Sequence, residues 1–174
     1  YENDQERGLS DITRYMMLDV APEGGQSVGL ALNDRGATFD SFTSLDGTQI
    51  RLVAAKEAIG ELLPVLVKAV FEPKFDEAAW AEQLPELRRN LLDLERRPLG
   101  RQQILLWETA FPEHPYGRPV AGTAAGVAAY DAEDLAAFHK KLYVPNNMSL
   151  VVVGDVTTDE VIELATKLLG GYPS

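Results

Sequence analysis

Between Asp76 and Arg97 the apolar residues Trp80, Leu84, Leu87, Leu91 and Leu94 recur at three- and four-residue spacings. That is the period of one face of an α-helix. A helix of that reach is roughly 33 Å long. Being apolar along one side only, it has to lie on a core supplied by the rest of the chain. Pro85 stands inside the stripe and is expected to kink or divide the helix, since proline removes a donor and crowds the preceding turn.

The other elements follow from period and punctuation. Leu9, Ile12, Met16 and Met17 give an apolar stripe to a helix over about Gly8–Leu18, ended by APEGG (21–25). A short helix through Val28, Leu30 and Leu32 stops at Asn33 and Gly36. From Ala37 to Ala55 two β-rich runs flank Asp46-Gly47, a hairpin signal whose tight turn asks for positive φ. AAKEAIGELLPVLVKAVF is a deeply packed helix despite Pro64, and Gln102–Phe111 is helical again. PEHPYGRPVAGT (112–123) is too rich in Pro and Gly to be regular. Asp131 caps a helix through Leu135, Phe138 and Leu142, and Thr157 or Thr158 caps a last one that ends at Gly170-Gly171. MSLVVVGDV (148–156) reads as a buried strand by its β-branched run. The fold class expected is α+β, a mostly antiparallel sheet covered by helices.

Composition narrows the partners. The 174 residues suit one domain, and 45% apolar with 25% charged is ordinary for a globular chain. A net charge of −11 speaks against nucleic acid and anionic membrane surfaces, which need a basic footprint. No apolar run is long enough for membrane insertion. The absence of cysteine excludes disulfides, thiolate metal sites and thiol nucleophiles.

Few residues are placed to do chemistry. The two histidines, His114 in the Pro/Gly loop and His139 on a charged helix face, read as unrelated surface groups. No G-x-S-x-G elbow, G-x-G-x-x-G turn or P-loop occurs. Arg88, Arg89, Arg96, Arg97 and Arg101 form the one basic concentration. Glu86, Asp93 and Glu95 are three or four residues away, so a salt-bridged solvent face is expected, with a partner interface as the sharper alternative.

YENDQERGLSDITRYMML, ATFDSFTSLDGTQIRL, LLPVLVKAVFEPKFDEAAWAEQ, EHPYGRPVAGT and YVPNNMSLVVVGDVTTDEVIELATKLLGG follow one another in an order that resembles the pitrilysin/insulinase family of zinc peptidases. That family includes the mitochondrial processing peptidase and the core proteins of respiratory complex III. HPYGRP followed by GT, and VVVGDV after PNN, are the most specific pieces. Members that cut peptides carry H-x-x-E-H on the first helix, two histidines for zinc and a glutamate that activates water.

The preceding Gly-Leu and following Met-Met-Leu place that motif on Asp11-Ile12-Thr13-Arg14-Tyr15. Asp11 and Tyr15 then stand at the histidine positions and Arg14 at the base. The family's third ligand, a glutamate of the long helix, falls at Asn90–Leu92, with Asn90 the best fit, and no acid lies there. Glu86 and Glu95 are displaced by about a turn, ~5 Å, too far to complete a tetrahedral site. Arg14 is a permanent cation that cannot serve as a base, and Asp11 on the same face is expected to pair with it. The resemblance therefore implies no catalytic, cofactor-binding or metal-binding residue in residues 1–174, and a module inactive on its own.

What the resemblance implies beyond that is a role. Family members close two halves, each of paired similar modules, around a chamber for unfolded peptide, often with zinc in one half only. The chain resembles the first module of a zinc-less half, a single module over residues 1–174 whose first strands would precede Tyr1. The expected partners are an active zinc peptidase subunit or sister module, which would hold the zinc, and an unfolded peptide. A scaffold subunit like the respiratory core proteins is the alternative role. A bacterial periplasm is the expected compartment and a mitochondrion the alternative. The −11 charge leads to an expectation of an acidic chamber wall suited to basic peptides.

Overall fold

The computed structural model describes residues 2, 6–21 and 25–173. Residues 22–24 of the APEGG breaker lie outside that set. Ten elements run in order: α1 (Leu9–Leu18), α2 (Val28–Asn33), β1 (Thr38–Thr43), β2 (Thr48–Val53), α3 (Lys56–Phe71), α4 (Glu77–Arg96), α5 (Pro98–Ala110), α6 (Ala124–Val127), α7 (Ala132–Leu142) and α8 (Thr158–Leu169). Single 3-10 turns occupy Pro115–Gly117 and Pro145–Asn147. No helix among the described residues is long and apolar enough to cross a membrane.

α1 sits at the centre because it is apolar on two sides. Leu9, Ile12 and Met16 pack with Trp80 and Leu91 of α4, Val127 of α6, and Leu135 and Phe138 of α7. Met17 and Leu18 face the other way, onto Leu66 and Val70 of α3, with Ile50 and Leu52 of β2 against them. A third cluster joins Leu32, Ala37 and Leu62. Trp80 fixes the first contact by donating its indole N–H to the Tyr130 carbonyl at 2.9 Å. Side-chain caps define several helix starts, with capping boxes Asp131/Asp134 on α7 and Thr157/Glu160 on α8.

Three expectations are corrected. The molecule is mainly helical, and among the described residues its only sheet is the antiparallel pair β1–β2, in register from Thr38↔Val53 to Thr43↔Thr48. The run 148–153 is not a strand and not buried: it finds no ladder partner, and Val151 and Val153 are 82% and 93% exposed. A β-branched sequence can favour the extended state, but a strand exists only with an edge to pair with. In the hairpin, Gly47 does not take positive φ. A four-residue loop, with the Ser44 hydroxyl donating to the Gly47 carbonyl at 3.0 Å, makes the turn instead.

Pro85 and Pro64 lie inside unbroken helices. The break comes at Arg97, whose extended backbone (φ −71, ψ 133) both ends α4 and starts α5. Pro98 follows it, and the residue before a proline is disfavoured in the helical region. Packing of Trp80 and Leu91 keeps α4 continuous through the one missing donor at Pro85.

Candidate functional site

The first turn of α1 is pinned before any functional side chain is placed. Glu2 accepts from the Gly8 and Ser10 backbone N–H groups at 3.0 and 2.7 Å, putting a carboxylate on the helix N-terminus where the dipole favours it. Gly8 adopts φ 88, and a Cβ there would lie 2.7 Å from the Gly122 Cα. Two glycines are needed for the backbone of the 119–122 turn to meet the start of α1. Tyr116 of the HPYGRP loop donates its hydroxyl to Asp46 of the hairpin turn. The irregular loop is thus a clamp across α1 and the hairpin.

From that base, α1 turns Asp11, Arg14 and Tyr15 toward α4. Arg14 is the most constrained of them. Its Nε donates to Asp11 Oδ1 at 3.2 Å, and its Nη1 donates to Asp19 Oδ2 at 2.6 Å and to Ser41 Oγ at 3.0 Å. The side chain is 12% exposed. Burial works to lower its pKa, but the carboxylates of Asp11 and Asp19 outweigh this and raise it, so the guanidinium stays charged. The Tyr15 hydroxyl donates to Gln83 Oε1 at 2.9 Å, and burial, followed by the charge of Glu86, raises its pKa.

Asp11, Arg14, Tyr15 and Asn90 all line one cleft of about 380 Å³ between α1, α4 and the 121–127 segment. Its floor is apolar, with Ile12, Leu91 and Val127 buried. Asp93 and Arg97 complete its charged lining, so two acids face two bases there and the chain's excess of acid lies elsewhere. Asn90 is exposed on α4, and its side chain makes no hydrogen bond among the described residues.

The side chains at these positions do not fit zinc. Asp11 is already bound by Arg14, Tyr15 is engaged as a donor with a raised pKa, and Arg14 sets a permanent positive charge among them. A carboxamide at Asn90 adds one weak oxygen. Deprotonated nitrogen, sulfur or carboxylate donors are what a zinc site is made of. Among the described residues no group of three His, Asp or Glu side chains could hold a metal.

Other sequence candidates fall elsewhere. His139 is buried, a correction to its reading as a surface group. Its Nε2 bonds the Val70 carbonyl at 2.7 Å and its ring stacks on Tyr143 at 4.8 Å. His114 is exposed and caps the Pro115–Gly117 turn through Nδ1, which accepts from Tyr116 N–H at 3.2 Å. The arginine cluster is not the salt-bridged face expected: among the described residues only Arg89 has an ion pair, to Glu86 at 3.7 Å. Asp19, Ser41 and Gln83, which hold Arg14 and Tyr15, carried no signal in the sequence.

The family model described as insulinase (peptidase family M16) matches residues 1–124, and that described as peptidase M16 inactive domain matches residues 129–174. An uncharacterized zinc protease of Mycobacterium tuberculosis is 35% identical, over 94% of this chain and 45% of its own length. The mitochondrial-processing peptidase subunit beta of Neurospora crassa is 21% identical, over 99% of this chain and 37% of its own. Among solved structures, a protease from Helicobacter pylori matches with a TM-score of 0.89 at 18% identity, over 99% of this chain and 42% of that one. The periplasmic protease PqqL from Escherichia coli matches at 0.81 and 19%, over 99% and 20%. The chain spans less than half the length of each of these proteins.

Proposed function

The chain belongs to the insulinase (M16) family of peptidases, and within it we propose a zinc-less module that pairs with an H-x-x-E-H partner, subunit or sister module, to enclose a chamber for unfolded peptide. The observation that carries this reading is Arg14, held by Asp11, Asp19 and Ser41 where the resemblance puts the catalytic base. A largely covered cation with three partners occupies the place where a metal and its base would stand. The family match supports peptide as the ligand class. It also supports placing zinc and catalysis in the partner. For the compartment we propose a bacterial periplasm, as for PqqL, with a mitochondrion as the alternative.

Zinc analysis and a peptidase assay test it, on this chain alone and with a family member that carries H-x-x-E-H. The chain alone is expected to hold no stoichiometric zinc and to cut nothing in a chelator-sensitive way. With the partner it should form a complex that cleaves peptide faster than the partner does by itself. One zinc per purified chain, or chelator-sensitive cleavage by the chain alone, overturns the reading. Copurification with membrane cytochrome subunits in place of a peptidase would turn it toward a scaffold.

A further inference from the structure

We propose that α4 pairs through its solvent face with the α4 of a second copy of this chain, the two helices running antiparallel. The first half of α4 carries Glu77, Glu82 and Glu86 and no base. Its second half and cap carry Arg88, Arg89, Arg96 and Arg97 against Asp93 and Glu95. The helix dipole favours acid in the first turn and base in the last and fades within a turn, which accounts for Glu77 and Arg96. It does not account for Glu82, Glu86, Arg88 and Arg89, which stand mid-helix.

These charges are almost unused inside the molecule. Among the described residues the one ion pair these charges make is Glu86–Arg89 at 3.7 Å, with both side chains more than half exposed and Glu86 at the flank of the face. At about 100° per residue, Ala81, Glu82, Pro85, Arg89, Leu92 and Arg96 share one side of the helix, all exposed and away from buried Trp80 and Leu91. What complements this side is the same side turned end for end. About a twofold axis near residue 88, Glu82 and Glu86 of each copy come alongside Arg96 and Arg89 of the other. Ala81 and Pro85 come opposite Leu92, and these small residues let the axes approach to about 8–10 Å. A twofold contact repeats each pairing, so no other partner is required. The pairing is separate from the proposed association with a zinc-bearing partner and is read on this chain alone.

Sedimentation equilibrium of the full chain, up to hundreds of micromolar, tests it. Two single helices bury less than a standard interface of about 1,600 Å², so a weak, reversible monomer–dimer equilibrium is expected. R89E/R96E sets acid against acid and E82R/E86R sets base against base. Each is expected to weaken the dimer at least tenfold while leaving the circular dichroism spectrum unchanged. Mixed one to one, the two variants should regain a dimer, because every contact across the mixed pair is again acid to base. A wild-type chain that stays monomeric throughout overturns the proposal. So does a variant that dimerises like the wild type, or a mixture that fails to associate.

Discussion

Arg14 could be half read from the sequence. Asp11 lies three residues earlier on the same helix, so their pairing at 3.2 Å follows from helical geometry alone. Asp19 and Ser41 could not be foreseen, because one lies beyond the end of α1 and the other on β1, where only packing brings it near. The three bonds make Arg14 structural. Replacing it by Met unpairs two acids that are each about a third open to solvent, and Arg14→Met is expected to cost about 1 kcal/mol in urea unfolding. Arg14→Lys should recover only part, since an ammonium cannot span both carboxylates with fixed geometry.

His139 makes a separate prediction. Burial lowers its pKa below 6.5, against the opposing hydrogen bond to the Val70 carbonyl, so the folded ring stays neutral where the unfolded ring begins to charge. The unfolded chain therefore binds the proton more readily. This contribution to stability is complete above about pH 6.5 and declines as pH falls from there toward the depressed folded value. The urea midpoint should drop between pH 7.5 and 5.5, and His139→Phe should flatten that slope. A slope unchanged in the variant would assign the effect to other groups.

At the scale of elements, the helices and the β1–β2 hairpin were legible, and the extent of the sheet was not. The periodicities around Trp80, Ile12 and Leu135 gave α4, α1 and α7 nearly to the residue, because each stripe meets a core that rewards it. The run 148–153 misled because β-propensity reports the side chains and not the availability of an edge. Pro85 does not divide α4, since burial of Trp80 and Leu91 outweighs one absent hydrogen bond. The seam between α1 and the 119–122 turn was invisible to periodicity, although HPYGRP with its GT announced the loop. Gly8→Ala would both strain the positive φ and press a Cβ onto the Gly122 backbone. A loss of about 1–3 kcal/mol, read by thermal unfolding, is expected. Gly36→Ala serves as the comparison: it shares the positive φ, but open space surrounds it and only the first cost applies.

For the whole molecule, the consequential surface is the exposed apolar run. Leu150, Val151 and Val153 carry no charge and contain no proline, the composition of an edge that recruits other strands. Val151→Lys with Val153→Lys should leave the thermal midpoint nearly unchanged, because neither residue packs on the core. It should lower dye binding by exposed apolar surface and slow aggregation on warming. An equal loss of stability would mean that the run has a buried role.

The position of α1 also sets an order in time. Its apolar sides are covered by residues 66–70 and, on the other face, by 80, 91, 127, 135 and 138, while Lys141 reaches back to Glu6 at 2.8 Å. A ribosome makes α1 early and supplies its last partners only about 120 residues later. Until α4 is made Ile12 and Met16 have none of these partners, and until α7 is made their cover is incomplete. α1 thus waits for partners from α3, α4, α6 and α7, which makes it a natural binding segment for a chaperone that holds nascent chains.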